Sequence, residues 1–193
     1  MFQVRIHGRG GQGVVTAAEL LSLAAFSEDR WAQAFPSFGS ERMGAPVTAF
    51  CRIDEHEIRT REPIVVPDAL IVQDATLLHQ VDVFGGLGAD GYVLVNSGRA
   101  FEELGLGEWA QRFRRGRALT VPASEIAREA LGRARPNAAL LGGLAALTGV
   151  VSLPSVVSAI ETRFAAGPAA GNAAAARACY ERVRERTPEP ANA

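Results

Sequence analysis

The chain has 193 residues, of which 48% are hydrophobic and 21% charged, and its formal net charge is −1. That balance argues against a basic nucleic-acid face, and no apolar run reaches the roughly 18 residues of a membrane-spanning helix, so neither partner is expected. All 20 basic side chains are arginine, which removes lysine Schiff-base chemistry and a P-loop lysine.

A chain of this size buries about 70% of its unfolded surface, enough for a core without disulfides or a structural metal. One domain is expected over residues 1–186, with a disordered Pro/Ala tail at 187–193. Cys51 and Cys179 are far apart. Alone they ligate neither zinc nor an iron–sulfur cluster, and buried, inert thiols are the simpler expectation. The N-terminus reads as a strand rather than a signal peptide, which points to the cytoplasm.

Residues 3–7 read as a strand, followed by the turn Gly8-Arg9-Gly10-Gly11-Gln12-Gly13 and a helix over 13–26. Val14, Ala17, Ala18, Leu21, Ala24 and Ala25 fall at helical spacing. Trp31 to Gly44 shows aromatics and turn residues without a period, the pattern of a functional loop. Residues 47–53 alternate, 54–56 turn and 57–59 return, which together predict a β-hairpin. Further strands are expected at 69–73, 91–96 and 120–122, and helices at 77–84, 123–133, 137–147, from 153, and within 165–186. Ser124 is a candidate cap, and Pro154 stands near a helix start. Strands alternating with helices predict an α/β fold: a three-layer αβα arrangement with a largely parallel sheet and the hairpin inserted.

A strand, a glycine cluster and a helix start in succession suit an anion. Gly8, Gly10 and Gly13 formally satisfy G-x-G-x-x-G. A dinucleotide would also need an acidic residue ending the second strand to hold the ribose. Glu28-Asp29 instead leads into the aperiodic stretch, which makes nicotinamide dinucleotide binding the poorer fit. The alternative for the glycines is tight strand–helix packing. In the loop 36–44, Arg42 suits a bidentate phosphate contact and Ser37 and Ser40 offer hydroxyls. Equally, Glu41 and Arg42 can neutralise each other or contact a partner chain. Asp74 and Asn96 end strands, where open α/β sheets place ligands and where helix caps are also common. His7, His56 and His79 are scattered, and no nucleophile–base constellation or carboxylate pair is formed. No residue of this chain is expected to be catalytic or to bind a metal.

The segment Ile6-His7-Gly8-Arg9-Gly10-Gly11-Gln12-Gly13-Val14, the loop Pro36-Ser37-Phe38-Gly39-Ser40-Glu41-Arg42-Met43-Gly44-Ala45-Pro46 and Pro67-Asp68 resemble the gamma subunit of 2-oxoacid:acceptor oxidoreductases, such as pyruvate:ferredoxin oxidoreductase. Asn137-Ala138-Ala139-Leu140-Leu141-Gly142-Gly143-Leu144 and Val151-Ser152-Leu153 resemble its C-terminal half. The resemblance covers about residues 1–185. It implies a complex that oxidatively decarboxylates a 2-oxo acid to an acyl-CoA. Thiamine diphosphate and iron–sulfur clusters would reside in companion alpha, beta and ferredoxin-like delta subunits, sometimes with a flavin subunit that reduces NAD. This chain would frame the active-site entrance and help hold coenzyme A (CoA). Gly10, Gly11, Gln12 and Gly13 would face the phosphates, and Ser37, Gly39, Ser40 and Arg42 would complete the wall. The rival expectations are a purely structural assembly subunit and a stand-alone dinucleotide-dependent dehydrogenase. A subunit that never works alone is expected to expose apolar surface, at the Ala/Leu-rich helix near 138–150 and at Phe35 and Phe38.

Overall fold

Six strands form one mixed sheet in the order β2-β3-β1-β4-β5-β6 in the computed structural model, which describes residues 1–37 and 43–187. β1 (Phe2–Arg9), β4 (Ala69–Val72), β5 (Tyr92–Asn96) and β6 (Ala118–Val121) run parallel. β3 (Pro46–Asp54) pairs antiparallel with β1, and β2 (Trp31–Pro36) antiparallel with β3.

Strand periodicity sends alternate residues to opposite faces. Val4 and Ile6 of β1, Ile71 of β4 and Leu94 of β5 enter one apolar cluster with α1 (Val14–Phe26), α3 (Ala123–Leu131), α4 (Asn137–Thr148), α5 (Leu153–Arg163) and α6 (Ala166–Arg184). Val72, Val93 and Val95 enter a second cluster on the other face, with a 3₁₀ turn (Ala75–His79) and residues around α2 (Gly107–Ala110). The α/β fold is therefore as expected, with one thick helical layer and one thin outer layer. No helix among the described residues is long and apolar enough to cross a membrane.

The hairpin expected over 47–59 does not form. β3 stops at Asp54, and residues 57–59 adopt no strand. On its outer side β3 pairs instead with β2, drawn from the stretch that lacks a period as sequence. Phe35 stacks on Phe50 across this pair, with ring centroids 5.1 Å apart. Pro36 ends the strand at the sheet edge, where a missing N–H breaks no central ladder bond. The expected helix at 77–84 is only the short 3₁₀ turn, capped by Asp74, whose side chain accepts from the Thr76 N–H.

Helix starts and surfaces also depart from expectation. Ser124 does not cap α3. The Asn96 side chain does so from β5, its Oδ1 accepting the Ser124 N–H at 3.0 Å. Residues Ala138–Ala145 of α4 are buried, enclosed by the sheet and neighbouring helices, chiefly α6. Phe35 is half-buried, and Phe38 lies outside the described residues. The large exposed apolar side chains instead include Phe26, Trp31, Met43, Val65 and Val66.

Candidate functional site

The glycine turn is held in shape from both sides. Gly11 and Gly13 have φ values of 92° and 76°, in the region where L side chains are strained. A Cβ on Gly11 would lie 2.5 Å from Met43 Sδ, and one on Gly13 would lie 2.6 Å from Asn137 Nδ2. The segment 43–45 is stitched to the turn: the Gly10 N–H donates to Ala45 O and the Gly44 N–H to Gly10 O. Glycine lets the turn pass between these neighbours and then enter α1 directly.

A cavity of about 810 Å³ opens beside this turn, a size typical of small-ligand sites. Gly10, Gly11 and Gly13 form one wall, and Arg9, Arg133 and Arg135 also line it. No carboxylate lines it among the described residues. Val15, Val47, Leu131, Phe164 and Pro168 supply an apolar part.

Three helices begin at this cavity. Val14–Thr16 open α1, Asn137 opens α4, and Gly167 and Pro168 lie in the first turn of α6. None of the three starts has a side-chain cap or an acidic residue in its first turn. Uncapped N-termini present N–H donors and the positive ends of helix dipoles. With the exposed Arg133 and Arg135, they make this an anion-binding environment backed by apolar surface. Both arginines stand in the connection Gly132-Arg133-Ala134-Arg135-Pro136-Asn137. They were missed from sequence because they lie far along the chain from the turn. The available signal was a basic pair between a helix-ending glycine and a Pro-Asn helix start.

Gln12 takes a different role from its glycine neighbours. Its Oε1 accepts the Arg9 N–H at 2.7 Å, and its Nε2 donates to Asp74 Oδ2 at 2.8 Å. Arg9 Nε lies 3.2 Å from the same Asp74 oxygen, while Arg9 Nη1 donates to Gly44 O and Nη2 to Thr76 and Gln80. Burial opposes ionisation of Asp74, but hydrogen bonds from Thr76 and Gln12 and the Arg9 charge outweigh it. They hold its carboxyl below the usual value. Asp74 at the end of β4 thus fastens the glycine turn and, through Arg9, the 43–45 segment.

Beyond Gln12 lies a second, smaller crevice of about 330 Å³ at the carboxyl ends of β4, β5 and β6. Its lining includes Asp74 and Glu125, the carboxamides Gln12, Gln73 and Asn96, and hydroxyls such as Ser124, with no cationic side chain among the described residues. Asn96 is engaged: its Nδ2 donates to Gln73 O and Ser124 Oγ, both at 2.8 Å. Gln73 is 1% exposed, yet neither side-chain polar atom finds a hydrogen-bond partner among the described residues.

The other sequence candidates separate. Ser37 is exposed, its N–H donates to Thr48 O, and it is absent from the cavity lining. Gly39, Ser40 and Arg42 lie outside the described residues. His7 is buried on β1, and burial, then the nearby Arg5 charge, pushes its pKa down to about 4. Burial raises the Cys51 and Cys179 thiols to about 12, so neither is a thiolate at neutral pH. No group of three metal-ligating side chains gathers among the described residues.

The strand order also bears on the dinucleotide alternative. The strand that follows α1 is β2, which pairs antiparallel with β3 and not with β1. The parallel βαβ unit that presents a ribose acid is therefore not built around this turn.

A family profile described as pyruvate ferredoxin/flavodoxin oxidoreductase matches residues 3–182. The chain is 48% identical over 184 residues to the pyruvate/ketoisovalerate oxidoreductases common subunit gamma of Pyrococcus abyssi, covering 95% of this chain and 98% of that one. It resembles the crystal structure of pyruvate oxidoreductase subunit PORC from Thermotoga maritima, with a TM-score of 0.77, 35% identity and coverage of 93% and 95%. It also shares its fold with part of the 2-oxoglutarate:ferredoxin oxidoreductase of Magnetococcus marinus, solved with 2-oxoglutarate, coenzyme A and succinyl-CoA. There the TM-score is 0.78 at 17% identity, over 98% of this chain and 32% of that one.

Proposed function

The chain belongs to the pyruvate ferredoxin/flavodoxin oxidoreductase family as a gamma-type subunit, and from that premise we propose that its glycine-turn cavity holds the phosphates of coenzyme A for a multi-subunit 2-oxoacid oxidoreductase. The observation that carries this reading is the cavity's charge: the exposed Arg133 and Arg135, three bare helix starts and no carboxylate in the lining among the described residues. Coenzyme A brings a pyrophosphate and a 3′-phosphate, which suit arginine forks and N–H donors. Its apolar groups suit the Val15–Leu131–Phe164 side.

In this account the turn offers main-chain amides, Arg133 and Arg135 supply exposed charge, and the Gln12–Asp74–Arg9 network fastens the turn. Ser37, Gly39, Ser40 and Arg42 belong to the same proposal through the loop whose far end, Met43, packs against Gly11. Residues 1–186 act as one unit, which the apolar cluster running from Val4 to Val183 supports. Decarboxylation and electron transfer belong to companions. Alpha and beta chains would hold thiamine diphosphate, and a ferredoxin-like delta chain would hold iron–sulfur clusters, since the buried thiols here suit no cluster. Ferredoxin would accept the electrons, or NAD through an added flavin subunit, in the cytoplasm.

The test is the affinity of the assembled complex for coenzyme A. Gly11→Val, Arg42→Ala and the paired Arg133→Ala/Arg135→Ala should each weaken it while the complex still assembles. Unchanged affinity in all three would remove the proposal. A purely structural role is the second reading, favoured by Val65 and Val66, which are 71% and 63% exposed. Under that reading, the Gly11 and Arg42 variants would fail to assemble and affinity in whatever complex forms would be normal.

A further inference from the structure

We propose that the outer edge of β2 pairs with the same edge of a second copy of this chain, antiparallel and centred on Gln33, so that two six-stranded sheets join into one. The inference concerns the sheet edge and not the glycine turn, and it does not rest on the coenzyme A reading.

β2 ends the sheet on its side, and no described residue pairs with its outer edge. The Ser37 N–H donates to Thr48 O. Phe35 stands opposite Phe50 and Gln33 opposite Arg52, so the alternation of an antiparallel ladder gives the odd-numbered residues of β2 to β3. The main-chain N–H and C=O groups of Ala32 and Ala34 therefore point outward. Neither residue makes another main-chain hydrogen bond among the described residues. Natural edge strands are commonly blunted by charged side chains, bulges or a covering segment. β2 reads Trp31-Ala32-Gln33-Ala34-Phe35-Pro36, with no charged residue, and Trp31 is exposed. Arg30, the charge that precedes it, donates to Val150 O and lies 3.4 Å from Glu55.

The strip complements itself, as a two-fold contact requires. Centred on Gln33, antiparallel pairing sets Ala32 opposite the copy's Ala34, and Ala34 opposite its Ala32. Each pair exchanges both main-chain hydrogen bonds. Trp31 then meets the copy's Phe35, and Phe35 its Trp31, as cross-strand aromatic pairs. No like charges face one another along the strand. Pro36 has no N–H to give, and the Arg30 N–H already donates to Ala25 O, so the pairing ends where the strand ends. The helical layer also has room for the copy. α1 packs on both β2 and β3, so its axis lies between them. Two copies of α1 would stand two strand spacings apart, about 9.5 Å, the separation of packed helices. α1 carries the exposed Leu23 and Phe26 for such a pair to bury, and its exposed Glu19 is paired with Arg163.

The test is a disulfide placed on the symmetry axis. Gln33 would face its own copy at a non-hydrogen-bonded position, with Cα atoms about 4.5 Å apart, within disulfide reach. Under mild oxidation of the full chain, Gln33→Cys should link two copies covalently. Trp31→Cys, which meets Phe35 instead, should not. Cys51 and Cys179 are fully buried and give no background. Sedimentation of the wild-type chain should show a reversible dimer at micromolar concentration. Ala34→Pro removes one outward N–H from each copy and should weaken that dimer about thirtyfold, the worth of two main-chain hydrogen bonds. A wild-type chain that stays monomeric, or a dimer that Gln33→Cys does not link, would overturn the inference. So would a dimer that Ala34→Pro leaves unchanged, since the contact would then lie elsewhere. If the chain alone is monomeric and amide exchange at Ala32 and Ala34 slows only in the assembled complex, a companion chain covers the edge and the inference falls. Should the proline variant not fold, the contrast between Gln33→Cys and Trp31→Cys decides alone.

Discussion

The two sides of the glycine turn are built oppositely. On the cavity side, α1, α4 and α6 begin with no side-chain cap and no acidic residue, and arginines stand around them. On the crevice side, Asp74 caps the 3₁₀ turn and Glu125 lies in the first turn of α3, where Asn96 supplies the missing cap from β5. The crevice side satisfies its helix-start donors internally; the cavity side leaves its own for something from outside. Both sides are made by a single turn, so the polarity is a property of the site and not of the whole chain, whose net charge is −1.

Removing the cavity's charge is the strongest way to break this contrast. Arg133→Ala/Arg135→Ala should raise the KM for coenzyme A by about 100-fold, taking about 1.5 kcal/mol for each charge-assisted contact. A comparable loss from Glu125→Gln on the crevice side would erase the distinction. The measurement is steady-state kinetics of the assembled complex against coenzyme A.

Acid acts on the stability of the fold through a buried imidazole of β1. His7 is neutral in the fold with a pKa near 4, below the 6.5 of an exposed imidazole. The unfolded chain therefore binds more protons between these values, and stability falls as pH drops through that window. At pH 5 the loss is about 2 kcal/mol, readable by denaturant titration. His7→Asn should flatten this acid limb.

Smaller effects sharpen the role of the network between the two sides. Gly13→Ala should cost about 1–2 kcal/mol for the left-handed backbone, in addition to displacing Asn137. Asp74→Asn should loosen the turn and raise the coenzyme A KM about tenfold, about 1.4 kcal/mol. Gln12→Ala should add little to Asp74→Asn, because both residues serve one network. A double-mutant cycle reads that non-additivity.

The same contrast explains what sequence could foresee. The strand–turn–helix at 2–26, the buried strands β4 and β5, and the late helices are local patterns of hydrophobic period and glycine, and they were legible. β2 was not, because it is an edge strand whose partner β3 alone makes Trp31–Pro36 extended. The return strand at 57–59 was expected only because the true partner of β3 was hidden. At the site, the glycines announced themselves by spacing. Arg133 and Arg135 reach the cavity beside the turn through the α3–α4 connection, a tertiary fact whose one local trace is a basic pair between a glycine and a Pro-Asn helix start. Gln12 looks like a ligand contact in sequence, but a carboxylate 62 residues on takes up its amide. Asp74 stood between cap and ligand contact, and it serves as a cap and as the fastening of the turn.

The most direct test is a structure of the assembled complex with coenzyme A bound. The account predicts the pyrophosphate within hydrogen-bonding reach of the amides of Val14–Thr16, with an arginine of the 133–135 connection on a phosphate. Coenzyme A held wholly by companion chains, with this cavity sealed beneath their side chains, would contradict it.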